Sequence, residues 1–204
     1  MNKILLIDGH SILNRAFYGV PPLTNFEGLH TNAVYGFINI MLKSLEDEHA
    51  DYIAVAFDLK APTFRHEMFA EYKGTRKPMP QELHEQVPVI KEVLAAMTIP
   101  VITLEGYEAD DILGTLAKRC QRDGFEVSIL SGDRDLLQLA DEHIKIRMPK
   151  TVKGQTSIEN YYPSDVIDKY QVTPEEFIDL KALMGDSSDN IPGLPGVGEK
   201  TAER

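Results

Sequence analysis

The sequence predicts an α/β fold with a central, mainly parallel sheet. Four short apolar, β-branched runs read as buried strands, amphipathic stripes at three- and four-residue spacing read as helices, and the two kinds of segment alternate.

The first run, Ile4–Ile7, is closed by Asp8. Next comes a helix that Thr31 or Asn32 can cap, with Val34, Phe37, Ile38, Met41, Leu42 and Leu45 along one face. Ile53–Phe57 is the second strand. Residues 59–80 then break the pattern: they hold three prolines, and from Lys60 to Lys77 five Lys/Arg stand against two Glu. That composition predicts a basic excursion, an arch beside the sheet edge. A helical stripe over Gln81–Met97, a strand over Val101–Leu104, a second stripe over Ala109–Arg122 closed by Gly124, and a strand over Val127–Leu130 complete the alternation. Beyond Pro163 the spacing predicts helices over Ser164–Tyr170 and Pro174–Met184, then the loop GDSSDNIPGLPGVGEK and a helix starting at Glu199. The expected division is an α/β domain over 1–162, arch included, and a helical region over 163–204.

With 204 residues, 43% of them hydrophobic, the chain can bury one good core. Its single cysteine, Cys120, rules out an intrachain disulfide and any multi-cysteine zinc site. The N-terminal apolar run is too short for a signal peptide or a membrane span, so a soluble, cytoplasmic protein is expected. The net charge of -11 argues on its face against nucleic acid. Nine of the carboxylates, however, belong to one spaced series, and setting them aside leaves -2.

That series is the main functional signal. Asp8 and Asp58 directly follow strands, and Asp133 and Asp135 follow the strand segment SIL within SGDRD. Glu108, Asp110 and Asp111 open a helix after a fourth strand, and Asp186 and Asp189 lie in the late loop. In an open parallel sheet, ligands bind beyond the carboxyl ends of the strands. Carboxylates delivered there repel one another unless cations bind, and hard ions such as Mg²⁺ or Mn²⁺ prefer oxygen donors. Two such ions can activate water and stabilise the leaving oxygen of a phosphoryl displacement. Taken singly, Asp110 or Asp135 is equally well read as a helix cap, and Asp8 as an ordinary strand end. The conjunction favours a metal site.

The competing phosphate motifs are absent: no GxxxxGK[ST], no GxGxxG after the first strand, no GxSxG and no HExxH. In the arch, Lys73 and Arg76 are three residues apart, with Lys77 beside them and Arg65 upstream; such cations suit phosphate oxygens in a transition state. Tyr72 could stack on a splayed base. The alternative is a solvated basic loop. Gly193, Gly196 and Gly198, with Lys200, form a turn whose backbone N–H groups could cradle one DNA phosphate; the alternative is an ordinary Gly/Pro loop.

Taken in order, IDGHS, RAFY, HTNAVYGF, FD, TFRHE, YKGTRK, EADD, SGDRD and GDSSDNIPGLPGVGEKTA resemble the 5′-nuclease (5′-3′ exonuclease) domain of bacterial DNA polymerase I, of the flap-endonuclease superfamily. The resemblance implies a PIN-like fold and two-metal, Mg²⁺- or Mn²⁺-dependent cutting of 5′ ends and flaps in replication and repair, including removal of RNA primers. It implies one metal at Asp8, Asp58, Glu108, Asp110 and Asp111 and a second at Asp133, Asp135, Asp186 and Asp189. Asp8, Asp58, Asp111, Lys73 and Arg76 are the implied catalytic residues. Arg15, Tyr72, Lys73, Arg76, Lys77, Gly193, Gly196, Gly198 and Lys200 are the implied DNA contacts, with a K⁺ ion at a helix–hairpin–helix element. Partners would be flapped, nicked or branched DNA and RNA/DNA primers, handled by a monomer near the nucleoid and without a membrane. Family domains are continuous with a polymerase domain and extend beyond the position of Arg204, so the chain reads as a fragment with a truncated hairpin element and weakened duplex affinity. Two other readings are a non-catalytic module for branched DNA, which has no need of Asp8 or the GDRD pair, and a PIN-type ribonuclease, which is generally shorter and lacks the arch and glycine turn.

Overall fold

The computed structural model describes residues 1–152 and 155–202. The expectation that the last helix is cut at Arg204 lies outside the described residues. The strands are β1 (Lys3–Asp8), β2 (Tyr52–Ala56), β3 (Val101–Ile102), β4 (Glu126–Leu130), β5 (Ile144–Val152), β6 (Gln155–Tyr161), β7 (Gly185–Asp186) and β8 (Ile191–Pro192). The α-helices are α1 (Gly9–Gly19), α2 (Asn32–Glu48), α3 (Phe64–Met68), α4 (Gln81–His84), α5 (Gln86–Ala96), α6 (Ala109–Arg122), α7 (Pro163–Tyr170), α8 (Glu176–Met184) and α9 (Glu199–Ala202). A 3-10 helix spans Arg134–Leu139.

The main sheet runs β3-β2-β1-β4-β5-β6, parallel except for the antiparallel β5–β6 pair, and β7–β8 is a separate two-stranded ribbon. The expected α/β architecture is therefore present, with additions. The hairpin β5–β6 and helix α1 are not among the predicted elements, the stripe over Gln81–Met97 is divided into α4 and α5, and β3 is only two residues long. The signal for β5 is visible in retrospect: Ile144, Ile146 and Met148 alternate with Lys145 and Arg147.

Each face of the sheet has its own core. Leu5, Ile7, Val55 and Leu130 pack with Ile12, Phe37, Met41 and Ile90 from α1, α2 and α5. Leu6, Ala54, Val127 and Ile129 pack with Leu113 and Ala117 of α6, and Val166, Tyr170, Phe177 and Leu180 of α7 and α8 join the same cluster. The two faces follow from period-two alternation along strands buried on both sides. A buried ionic group ties α2 to the sheet: Glu48 takes Arg147, Lys145 and the Ser128 hydroxyl.

Strand order reverses between β1 and β4, since the chain lays β2 and β3 to one side of β1 and β4 to the other. In open α/β sheets the crevice beyond the carboxyl ends at such a reversal is where ligands bind.

Candidate active site

Asp8 ends β1 at that reversal. It caps α1 by accepting the Ser11 N–H at 3.0 Å and accepts the Ser131 hydroxyl at 2.7 Å. Ser131, fully buried after β4, also accepts the Asp133 N–H at 3.0 Å. Asp58 follows β2 and accepts the N–H of Ala109 at the start of α6 at 2.8 Å. Its second carboxylate oxygen lies 3.2 Å from His10 Nδ1. Glu108 is the N-cap of α6, in a reciprocal capping box with Asp111. Asp133, not Asp135, caps the 3-10 helix, by accepting the Asp135 N–H at 2.9 Å.

These elements surround a cleft of about 840 Å³ whose lining includes Asp8, Asp58, Glu108, Asp110, Asp133, Arg15, Lys73 and Arg76. A second space of about 390 Å³ adjoins it, bordered by Asp111, Asp135 and Asp189 as well as Glu108, Asp110 and Asp133. A third, of about 290 Å³, lies among Asp133, Asp135, Asp186 and Asp189. The nine acids thus gather along one edge. Asp133 borders all three spaces and joins the two groups that the sequence reading kept apart, whereas Asp111 does not line the main cleft.

Burial, then the charges of Asp8, Asp133, Asp58 and Glu108, push the Asp110 carboxyl up to about 8. Burial also raises Asp8, with Asp58 and Asp133 adding to the effect. For Asp58, burial is outweighed by the hydrogen bonds from His10 and Ala109, and its pKa falls. Burial acts against the Asp111 carboxylate as well, but Arg65 and the Glu108 N–H lower its pKa.

Five of the acids are held by cations. Arg65 makes a two-pronged contact to Asp111 at 2.7 and 2.8 Å. Lys73 reaches Glu108 at 2.8 Å, and Arg76 pairs with Asp189. Lys181 bridges Asp135 at 2.9 Å and Asp186 at 2.8 Å, and together with Ser188 it brings Asp186 down to about 2 against the effect of burial. Among the described residues, no three His, Cys, Asp or Glu side chains are grouped tightly enough, as they stand, to hold a metal ion. The donor chemistry nevertheless suits hard divalent cations, being all carboxylate oxygen, and a bound cation would relieve the repulsion that adds to burial in raising Asp110.

Tyr72 is not positioned to stack on a base in this state. The residue is 6% exposed, and its hydroxyl, with one proton to donate, lies 3.1 Å from a Glu108 oxygen and 3.0 Å from an Asp189 oxygen. Lys77 is exposed on the arch. Gly193 is packed so closely against Met184 and Gly185 that a Cβ would lie 2.2 Å from the Met184 carbonyl oxygen. Gly196, at φ +80°, and Gly198 have open space around them, and Lys200 is exposed on α9. Ser131 and Lys181 are site residues that the sequence reading missed. Ser131 carried a weak signal, lying between a strand and the GDRD acids. Lys181 carried none, because its partners lie elsewhere in the chain.

A family model described as 5′-3′ exonuclease, N-terminal resolvase-like domain, matches residues 3–171, and one described as 5′-3′ exonuclease, C-terminal SAM fold, matches residues 172–204. DNA polymerase I of Bacillus caldotenax is 56% identical over 200 residues, covering 98% of this chain and 23% of that protein. DNA polymerase I of Bacillus subtilis (strain 168) is also 56% identical over 200 residues, covering 98% and 22%. The chain therefore spans about a quarter of the length of the curated relatives it matches. Among solved structures, the bacteriophage T5 5′-exonuclease with bound zinc matches with a TM-score of 0.78 at 25% identity, covering 99% of this chain and 73% of that one. A bacteriophage T5 flap endonuclease in complex with DNA and metal ions matches with a TM-score of 0.77 at 25% identity, over the same shares.

Proposed function

The chain belongs to the 5′-3′ exonuclease family, and on that premise we propose that it is a divalent-metal nuclease that hydrolyses DNA phosphodiesters at 5′ ends and flaps. One observation carries the reading: Asp8, Asp58, Asp110 and Asp133, from four separate segments, meet around one cleft, where burial and then the neighbouring carboxylates push Asp110 up to about 8.

Asp8, Asp58, Glu108, Asp110 and Asp111 would hold one ion and Asp133, Asp135, Asp186 and Asp189 the other, with Mg²⁺ or Mn²⁺ fitting the donor set. Bound there, the ions would supply a nucleophilic water and charge stabilisation for the leaving oxygen. The chain's own part is to orient and to neutralise. Ser131 and Ser11 fix the Asp8 carboxylate, and the α6 N-terminus fixes that of Asp58. Lys73, Arg76 and Arg15, all at the cleft wall, can meet phosphate oxygens as charge builds on them. Lys77, Gly196, Gly198 and Lys200 would contact duplex phosphates, Gly193 would shape the turn from within, and the turn would also suit K⁺.

Flapped or nicked DNA and RNA/DNA primers are the proposed substrates, and replication and repair the setting. A monomer continuous with a polymerase domain, working in the cytoplasm near the nucleoid, fits the relatives. Residues 1–162 would form the catalytic body and 163–204 the duplex-binding part. Among the described residues, no helix is long and apolar enough to cross a membrane.

The test is cleavage of a 5′-flap DNA with Mn²⁺, with and without chelator, beside Asp8→Ala. Loss of cleavage in both controls is expected. Cleavage that survives either one overturns the metal mechanism.

A further inference from the structure

We infer that Asn190 is a positioning residue whose side chain latches the arch onto the late loop, so that divalent-cation uptake and arch release are coupled. The inference rests on the metal reading above and deepens it.

The contact begins with groups other than the carboxylates. Asn190 Nδ2 donates to the Glu71 carbonyl at 2.8 Å, the Lys73 N–H donates to the Asp189 carbonyl at 2.8 Å, and Arg76 Nε donates to the Ser188 carbonyl at 3.2 Å. With the backbones joined in this way, the arch side chains cover the acids oxygen by oxygen. Lys73 holds Glu108 Oε1 and Tyr72 holds Glu108 Oε2. Arg76 holds Asp189 Oδ1, and Asp189 Oδ2 lies within reach of the same Tyr72 hydroxyl. Lys73 and Arg76 engage two of these oxygens and the single Tyr72 proton serves one of the other two at a time, so a cation that takes them must displace Lys73, Arg76 and the Tyr72 hydroxyl. Lys73 and Arg76 are groups the proposed reaction needs facing substrate. Competition for the same oxygens makes the coupling reciprocal: whatever loosens the arch tightens the cation.

Asn190 can be changed without touching an acid. It sits at φ +60°, a backbone region that Asn, Asp and Gly tolerate. Asn190→Gly removes the donor and adds no charge. Asn190→Asp keeps the shape and replaces the donor with a carboxylate.

The experiment follows amide hydrogen exchange over residues 72–76 in the whole chain, without DNA, in the absence and presence of Mn²⁺, with bound Mn²⁺ counted by electron paramagnetic resonance. In the unaltered chain, slow exchange of the Lys73 amide without metal and faster exchange with Mn²⁺ are expected. Asn190→Gly and Asn190→Asp should exchange fast without metal, and Asn190→Gly should bind Mn²⁺ about 2- to 10-fold tighter, the range of one neutral hydrogen bond. A gain in affinity is not what loss of a merely structural bond would produce. Bound Mn²⁺ that leaves arch exchange unchanged overturns the latch. So do variants as protected as the unaltered chain, or an Asn190→Gly chain that binds Mn²⁺ no tighter. A chain that takes up no Mn²⁺ overturns the metal reading and with it the coupling, while metal-free exchange of the variants still decides whether Asn190 holds the arch.

Discussion

The Ser131 hydroxyl donates to Asp8 at 2.7 Å and accepts the Asp133 N–H at 3.0 Å, so one buried side chain orients acids from two neighbouring strand ends. Replacing it leaves a buried carboxylate and an amide without their partner. Ser131→Ala is expected to lower stability by about 1–3 kcal/mol in urea unfolding and to weaken Mn²⁺ binding several-fold. An unchanged Mn²⁺ titration would show that Asp8 is held well enough by Ser11 alone.

Asp110 sets a pH dependence for the metal-free chain. Its folded pKa, about 8, stands above the ordinary 3.8. Between those values the folded chain keeps a proton that the unfolded chain has lost, so this group lowers stability as pH rises from about 4 to about 8. Asp110→Asn should flatten that fall and raise the melting temperature at pH 7 while abolishing flap cleavage. A variant that melts lower than the parent at pH 7 would contradict the assignment.

The Arg65–Asp111 pair tests geometry against charge. Arg65 presents two parallel N–H groups, at 2.7 and 2.8 Å. Lysine keeps the charge but cannot reproduce the fork. Arg65→Lys should cost about 1 kcal/mol and increase proteolysis within the arch. Equal protease resistance would mean that the charge alone anchors it.

Glu48 is distant from the reaction and serves as a stability reference. It is 8% exposed and holds Arg147, which is 3% exposed. Glu48→Ala leaves the buried Arg147 charge with only the partly exposed Asp47 carboxylate at 3.2 Å, and is expected to cost about 3–5 kcal/mol. Mn²⁺ affinity of the chain that remains folded should be unchanged; altered affinity would connect this group to the site.

The parallel sheet, the helices α2 and α6, the acids after each strand and the family were all legible in the sequence. Each rests on local pattern: apolar periodicity marks the elements, and parallel strands bring their carboxyl ends to one edge, so acids placed after strands must gather there. Helix α1 and the β5–β6 hairpin were harder to read, because each carries a short pattern that only packing against β1 and β4 makes decisive. Which partner each acid takes was decided by tertiary structure alone. Asp133 joins both acid groups, Asp111 turns to Arg65, Lys181 bridges Asp135 and Asp186, and Tyr72 is closed between Glu108 and Asp189. Those pairings span 36 to 117 residues of chain wherever the arch is involved. Spacing along a sequence carries no information about charges that meet only after the sheet has formed, and that is why the acids could be read from the sequence while their occupants could not.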